Sequence, residues 1–68
     1  MVVVDAKVRF DAFADYKGGL EKIPLWVTGT VYAVNYEHKV FHVVYTVGGV
    51  TQRTSFKFCD IGEKVQVV

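Results

Sequence analysis

One cysteine, one proline and no long apolar run are the first shortages in this 68-residue chain, and they remove whole classes of protein. With Cys59 alone, no internal disulfide can form, and so small a chain without a disulfide framework suits a reducing compartment. No apolar stretch approaches the roughly 20 residues needed to span a bilayer. The apolar opening Met1–Val4 is broken by Asp5 and has no basic residues before it, which argues against a secretory leader. An excess of charge is missing too. Eight basic residues face seven acidic ones, for a net charge of +1. Residues 26–58 are slightly basic, with Lys39, Arg53 and Lys57 against Glu37. That bias is weaker than the footprint of a dedicated nucleic-acid binder. The expectation is a cytoplasmic protein with a single domain over residues 1–68 and no membrane partner.

What the chain does have is apolar and aromatic material, at 51% and 15% of its residues. That is enough to bury a core, which excludes disorder on composition. Alternation with a period of two dominates. Val2, Val4, Ala6, Val8 and Phe10 alternate with Val3, Asp5, Lys7 and Arg9, predicting a first half-buried strand. Asp11–Leu25 has no clean period and contains Gly18, Gly19 and Pro24, so it reads as a long loop or an irregular hairpin tip, with room for a helix of under two turns. Trp26–Val34, Val40–Val47 and Val50–Phe58 are rich in β-branched and aromatic residues and predict three more strands. Cys59–Lys64 has the composition of one tight 3₁₀-type turn, and Val65–Val68 that of a short fifth strand. Five strands in this layout predict an all-β fold, a five-stranded SH3-like small barrel with a long first loop and a 3₁₀-type turn before the last strand. Barrel closure would also remove exposed edges from such apolar strands. An OB-like barrel needs more residues and a helix.

The pair Gly48-Gly49 sets register. A two-residue turn pairs its flanking residues directly, and glycine supplies the positive φ it requires. Val47 then faces Val50, Tyr45 faces Gln52, Val43 faces Thr54 and Phe41 faces Phe56 on the core side. Val44 with Arg53, His42 with Ser55 and Val40 with Lys57 fall on the outer side, because cross-strand partners share a face. If Asn35–Lys39 is a five-residue loop, Val34 opposes Val40, Ala33 meets Phe41, and Tyr32 meets His42. Thr30 then meets Val44. The outer face of strands 2–4 thus carries Tyr32, Val34, Val40, His42 and Val44, with Trp26 at its end. Thr30, Arg53, Ser55 and Lys57 rim it. An apolar patch with a polar rim is the composition of an interaction site. The alternative is that the Asp11–Leu25 loop folds over this face as a second small core.

Catalytic and metal chemistry find little support. His38 and His42 lie four apart, but on a strand that separation is about 13 Å, too far to share an ion. Cys59 has no base to activate it and no oxyanion hole beside it. Lys17-Gly18-Gly19 lacks the rest of a phosphate loop. Ala12–Tyr16 resembles the aromatic–acidic opening of eukaryotic SH3 domains. However, Trp26 begins a strand and the turn offers Ile61, so a polyproline groove would lack two aromatic walls. No enzymatic activity, cofactor or metal is expected.

Three runs carry one further resemblance: Trp26-Val27-Thr28-Gly29-Thr30-Val31, then Tyr36–Val43, then Ser55-Phe56-Lys57-Phe58. Over about half the chain they resemble small accessory proteins of phages and prophages of Gram-positive bacteria, which pair W-V-x-G-x-V with E-H-x-x-F and S-F-K. The resemblance implies a mobile-element protein in the host cytoplasm that binds and modulates a host or phage factor, inhibition of CRISPR immunity being one option. It transfers no binding residues. The expected function is a non-enzymatic module that binds a protein, or a second copy of itself, through the outer face of strands 2–4. The alternative is single-stranded DNA or RNA binding by a KOW-, Tudor- or OB-like surface. There Tyr32, His42, Arg53, Lys57, Lys39 and Tyr36 would supply stacking and phosphate contacts.

Overall fold

The computed structural model describes residues 2–12 and 25–68, and the long first connection expected over Asp11–Leu25 lies mostly outside them. The chain forms β1 (Lys7–Asp11), β2 (Trp26–Asn35), β3 (Val40–Val47), β4 (Val50–Lys57), a one-turn 3₁₀ helix (Phe58–Asp60) and β5 (Val65–Val67). These strands make one antiparallel sheet in the order β4-β3-β2-β1-β5. The fold is all-β, with the expected 3₁₀ turn before the last strand. The sheet is open: β4 and β5 are its two edges and do not pair with each other.

The core side alternates as the sequence pattern requires. Val8 and Phe10 of β1, Val31 of β2, Phe41 and Val43 of β3, and Val65 of β5 are buried, together with Val2. The sheet curls around Phe10. Its ring lies 5.0 Å from that of Tyr45 on β3 and 5.1 Å from that of Phe56 on β4. Strands two and three steps apart in a flat sheet stand roughly 10 and 14 Å from each other. Gly29 makes the curl possible at β2. A Cβ there would overlap Val43 Cγ1 and come within 3.0 Å of the Val44 carbonyl oxygen.

The β3–β4 hairpin follows the expected register from Val47↔Val50 to Val40↔Lys57. Gly48 and Gly49 have φ of 57° and 79°, as the two-residue turn demands. Two other expectations need correction. The first strand begins at Lys7, not Val2. Asp5 adopts a φ of 74° in a turn, Val3 and Val4 are exposed, and Asp5 N–H and Ala6 C=O both bond to Val31. The second concerns the β2–β3 connection, which is one residue shorter than expected. Asn35 opposes Val40, and its side-chain oxygen accepts the His38 N–H at 3.0 Å. A one-residue shift would invert both faces of β2. A β-bulge absorbs it, because β2 advances two residues from Val31 to Ala33 while β3 moves one, from Val43 to His42.

Beyond β4, Asp60 accepts the Lys57 backbone N–H at 3.0 Å, while its own carbonyl accepts N–H from Glu63 and Lys64. Asp60→Ala removes the side-chain acceptor where β4 passes into the 3₁₀ turn. The expected cost is about 1 kcal/mol, or about 4–8 °C in Tm for a domain this size, read by thermal denaturation. An unchanged Tm would mean that water serves the N–H equally well.

Candidate functional site

The bulge decides which side chains stand on the outer face. Thr30, paired with Val44, and Tyr32 remain there, while Val34 does not. Val34 pairs with Phe41 and packs half-buried against the core, so its assignment to the contact patch is corrected. Ala33 takes its place in register opposite His42. The extra residue of a bulge has no direct partner, and bulges re-aim side chains. Here that residue is Tyr32, which stays 44% exposed.

Around Tyr32 the expected residues converge. The His42 ring lies 6.0 Å away, tilted by 33°. The Arg53 guanidinium carbon stands 5.9 Å over the Tyr32 ring, within cation–π range. His42 Nδ1 and Ser55 Oγ form a 2.6 Å hydrogen bond across β3 and β4, which fixes the imidazole. Val40 and Val44 flank His42 on β3 and are half-buried, and Lys57 is exposed opposite Val40. The apolar part of the face is therefore smaller than expected, and its most exposed members are aromatic or charged.

Trp26 belongs to a second grouping at the other end of β2. It is 51% exposed, and the Arg9 guanidinium carbon lies 5.7 Å from its ring centroid. Arg9 pairs directly with Thr28 on β2 and with Gln66 on β5. Arg9, Trp26 and Gln66 line a notch of about 230 Å³. Two residues along β1, Lys7 Nζ donates to Thr30 Oγ1 at 2.7 Å. Lys7, Arg9 and Gln66 did not emerge from the sequence. The β1–β2 register is set across a long connection whose turn residues fix no loop length, so nothing in the chain aligned Arg9 with Trp26.

Tyr36 and Lys39, two of the residues expected to contact a nucleic acid, are exposed and also have structural duties. Tyr36 donates its hydroxyl to the Val2 carbonyl at 3.0 Å and packs edge-on against Phe58. Lys39 takes a φ of 57° in the β2–β3 turn, and its carbonyl accepts the Phe58 N–H. His38, Lys39, Val40, Lys57, Phe58 and Cys59 line a shallow cleft of about 190 Å³. Cys59 is exposed and unbridged. Among the described residues, no three His, Cys, Asp or Glu side chains gather as metal ligands, and no helix is long and apolar enough to cross a membrane.

Comparison with known proteins adds no family. No family model matches the chain, and neither a curated protein nor a solved structure matches it.

Proposed function

We propose that this chain is a non-enzymatic binding module of SH3-like form whose contact surface is the outer face of β2–β4. The strand order, the 3₁₀ turn before the last strand and the curl of the sheet about Phe10 support that form. The observation that carries the contact surface is the bulged Tyr32, exposed on a paired strand with Arg53 over its ring and His42 beside it. An aromatic and an arginine held together on paired strands lose little conformational freedom on binding, which is how contact residues gain affinity. Half-buried Val40 and Val44 give the face an apolar floor. The resemblance to phage and prophage accessory proteins fits such a module, acting by occupying a host or phage factor.

Tyr32→Ala and Arg53→Ala, each confirmed folded by circular dichroism, test the surface. Immobilised wild-type protein is compared with each variant for capture of material from a lysate, read by mass spectrometry and by absorbance at 260 nm. Captured material is expected to fall by about tenfold or more in either variant, and to persist in Glu63→Ala, which alters an exposed turn. Equal capture by all four proteins would move the contact surface elsewhere.

A further inference from the structure

We infer that the outer face binds single-stranded nucleic acid, with the Arg9–Trp26–Gln66 notch seating one base and Tyr32–Arg53 a second. The inference rests on the outer face being the contact surface. It extends that face across β1 to β5 and names its partner.

Register makes the extension continuous. Lys7, Thr30, Val44 and Arg53 form one row of cross-strand partners through β1, β2, β3 and β4. Gln66, Arg9 and Thr28 form a second row through β5, β1 and β2. The two aromatic–cation pairs are thus joined by threonines, a valine and Lys7, not by acidic groups. Lys7, Arg9, Arg53 and Lys57 give four cations on this side of the sheet. Their partners include a hydroxyl and two aromatic rings. Asp11 has the same strand parity, and its Oδ1 accepts the Leu25 backbone N–H at 2.8 Å.

The chemistry of the pairs selects the partner. An exposed indole beside a guanidinium offers a stacking plane next to a phosphate contact, and the Gln66 amide supplies both donor and acceptor for a base edge. The notch they line is shallow and open, with room of about 230 Å³, so a base would lie against Trp26 instead of being enclosed. Repetition of the aromatic–cation pair at Tyr32 and Arg53 suits a polymer with a planar group and a negative charge in every unit. An acidic protein surface would use the cations and leave both rings idle.

Trp26 is the only tryptophan, so its fluorescence reports the notch directly. Full-length protein is titrated with mixed-sequence single-stranded DNA and RNA 20-mers at 50 and 200 mM salt, with polyglutamate and the matching duplex as comparisons. Binding of a single strand is expected to quench Trp26. Four phosphate contacts predict about a fifty-fold loss of affinity between the two salt concentrations. Arg9→Ala and Tyr32→Ala should each weaken binding by about tenfold, and Trp26→Phe, read by anisotropy, should retain most of it. Oligonucleotide binding without quenching, insensitive to Arg9→Ala but lost in Tyr32→Ala, would overturn the notch and leave the β2–β4 face standing. Equal binding of polyglutamate without quenching would reduce the surface to bare charge and overturn the inference. If no oligonucleotide binds at 50 mM salt while lysate capture still depends on Tyr32, the partner is a protein and only this inference fails. If lysate capture is also independent of Tyr32 and Arg53, the contact surface itself is wrong.

Discussion

Phe41→Ala is expected to cost the fold about 3–5 kcal/mol, the largest loss of any single substitution in the core. Phe41 lies on β3, next to the β4 edge and one strand from β2, and its side chain is fully buried. It packs on Phe56 at 5.8 Å and on Phe58 at 6.1 Å between ring centroids, so one ring ties the sheet to the 3₁₀ turn. It also pairs with Val34, the residue that the bulge turns inward. Deleting a buried phenylalanine side chain costs about 3–5 kcal/mol, because the lost transfer energy is joined by a cavity the neighbours fill only in part. A folded chain of this length has only about 3–10 kcal/mol of stability. The substitution therefore removes between a third and all of it. Urea denaturation followed by far-UV circular dichroism measures the loss. Phe41→Leu keeps most of the volume and is expected to cost about 1.5 kcal/mol or less. If Phe41→Ala and Phe41→Leu unfold at the same urea concentration, Phe41 is not the keystone of the core.

How much of this was legible in the sequence depends on whether local chemistry fixed each element. The β3–β4 hairpin was fully legible, since Gly48 and Gly49 permit one turn length and alternation does the rest. Burial of Phe41 and Val43 followed from that register. The β2–β3 connection was half legible. Thr30 takes its expected partner Val44, but from Tyr32 onward the pairing differs from the expected one. Two solutions satisfied the alternation equally: a five-residue loop without a bulge, or a four-residue loop with one. Asn35 held the missing signal, because an asparagine at the first position of a turn bonds the backbone ahead of it. That preference keeps Asn35 in the strand as the residue before the turn, opposite Val40, and sends Val34 to the core.

The start of β1 was illegible for a different reason. Val2, Val4 and Ala6 continue the alternation without a break in pattern. Yet Asp5 enters the left-handed region, where aspartate is tolerated better than a β-branched residue, and Val4 turns to solvent. On the candidate site, Tyr32, His42, Arg53 and Ser55 were found because one hairpin turn placed three of them. Arg9 and Gln66 were missed because their positions depend on pairings that no short turn dictates.

Gly29→Ala is expected to destabilise the protein by about 2–3 kcal/mol, against the sign that strand propensity gives. In an ordinary strand the change from glycine to alanine is favourable by about 0.5–1 kcal/mol. At Gly29 the new methyl overlaps Val43 Cγ1, stands 3.0 Å from the Val44 carbonyl oxygen and 3.3 Å from Phe10 Cε1. Val43 can yield only by leaving a packed rotamer, and the carbonyl belongs to the sheet ladder. Overpacking of this kind typically costs about 1–3 kcal/mol. Gly48→Ala provides the contrast. Nothing lies within 4 Å of the added methyl there, but a φ of 57° penalises any side chain by about 1–2 kcal/mol. Strain at Gly48 should therefore be independent of Val43, whereas strain at Gly29 should not. In a double-mutant cycle by urea denaturation, Val43→Ala is expected to relieve Gly29→Ala by about 1 kcal/mol or more and to leave Gly48→Ala unrelieved. Gly29→Ala that stabilises the chain would contradict the close approach of β1 and β3 over β2. That approach also sets the outer face, since Thr28 and Thr30 on either side of Gly29 join the Arg9 row to the Arg53 row. The glycine that lets the sheet curl thus lies between the two threonines that join the two rows.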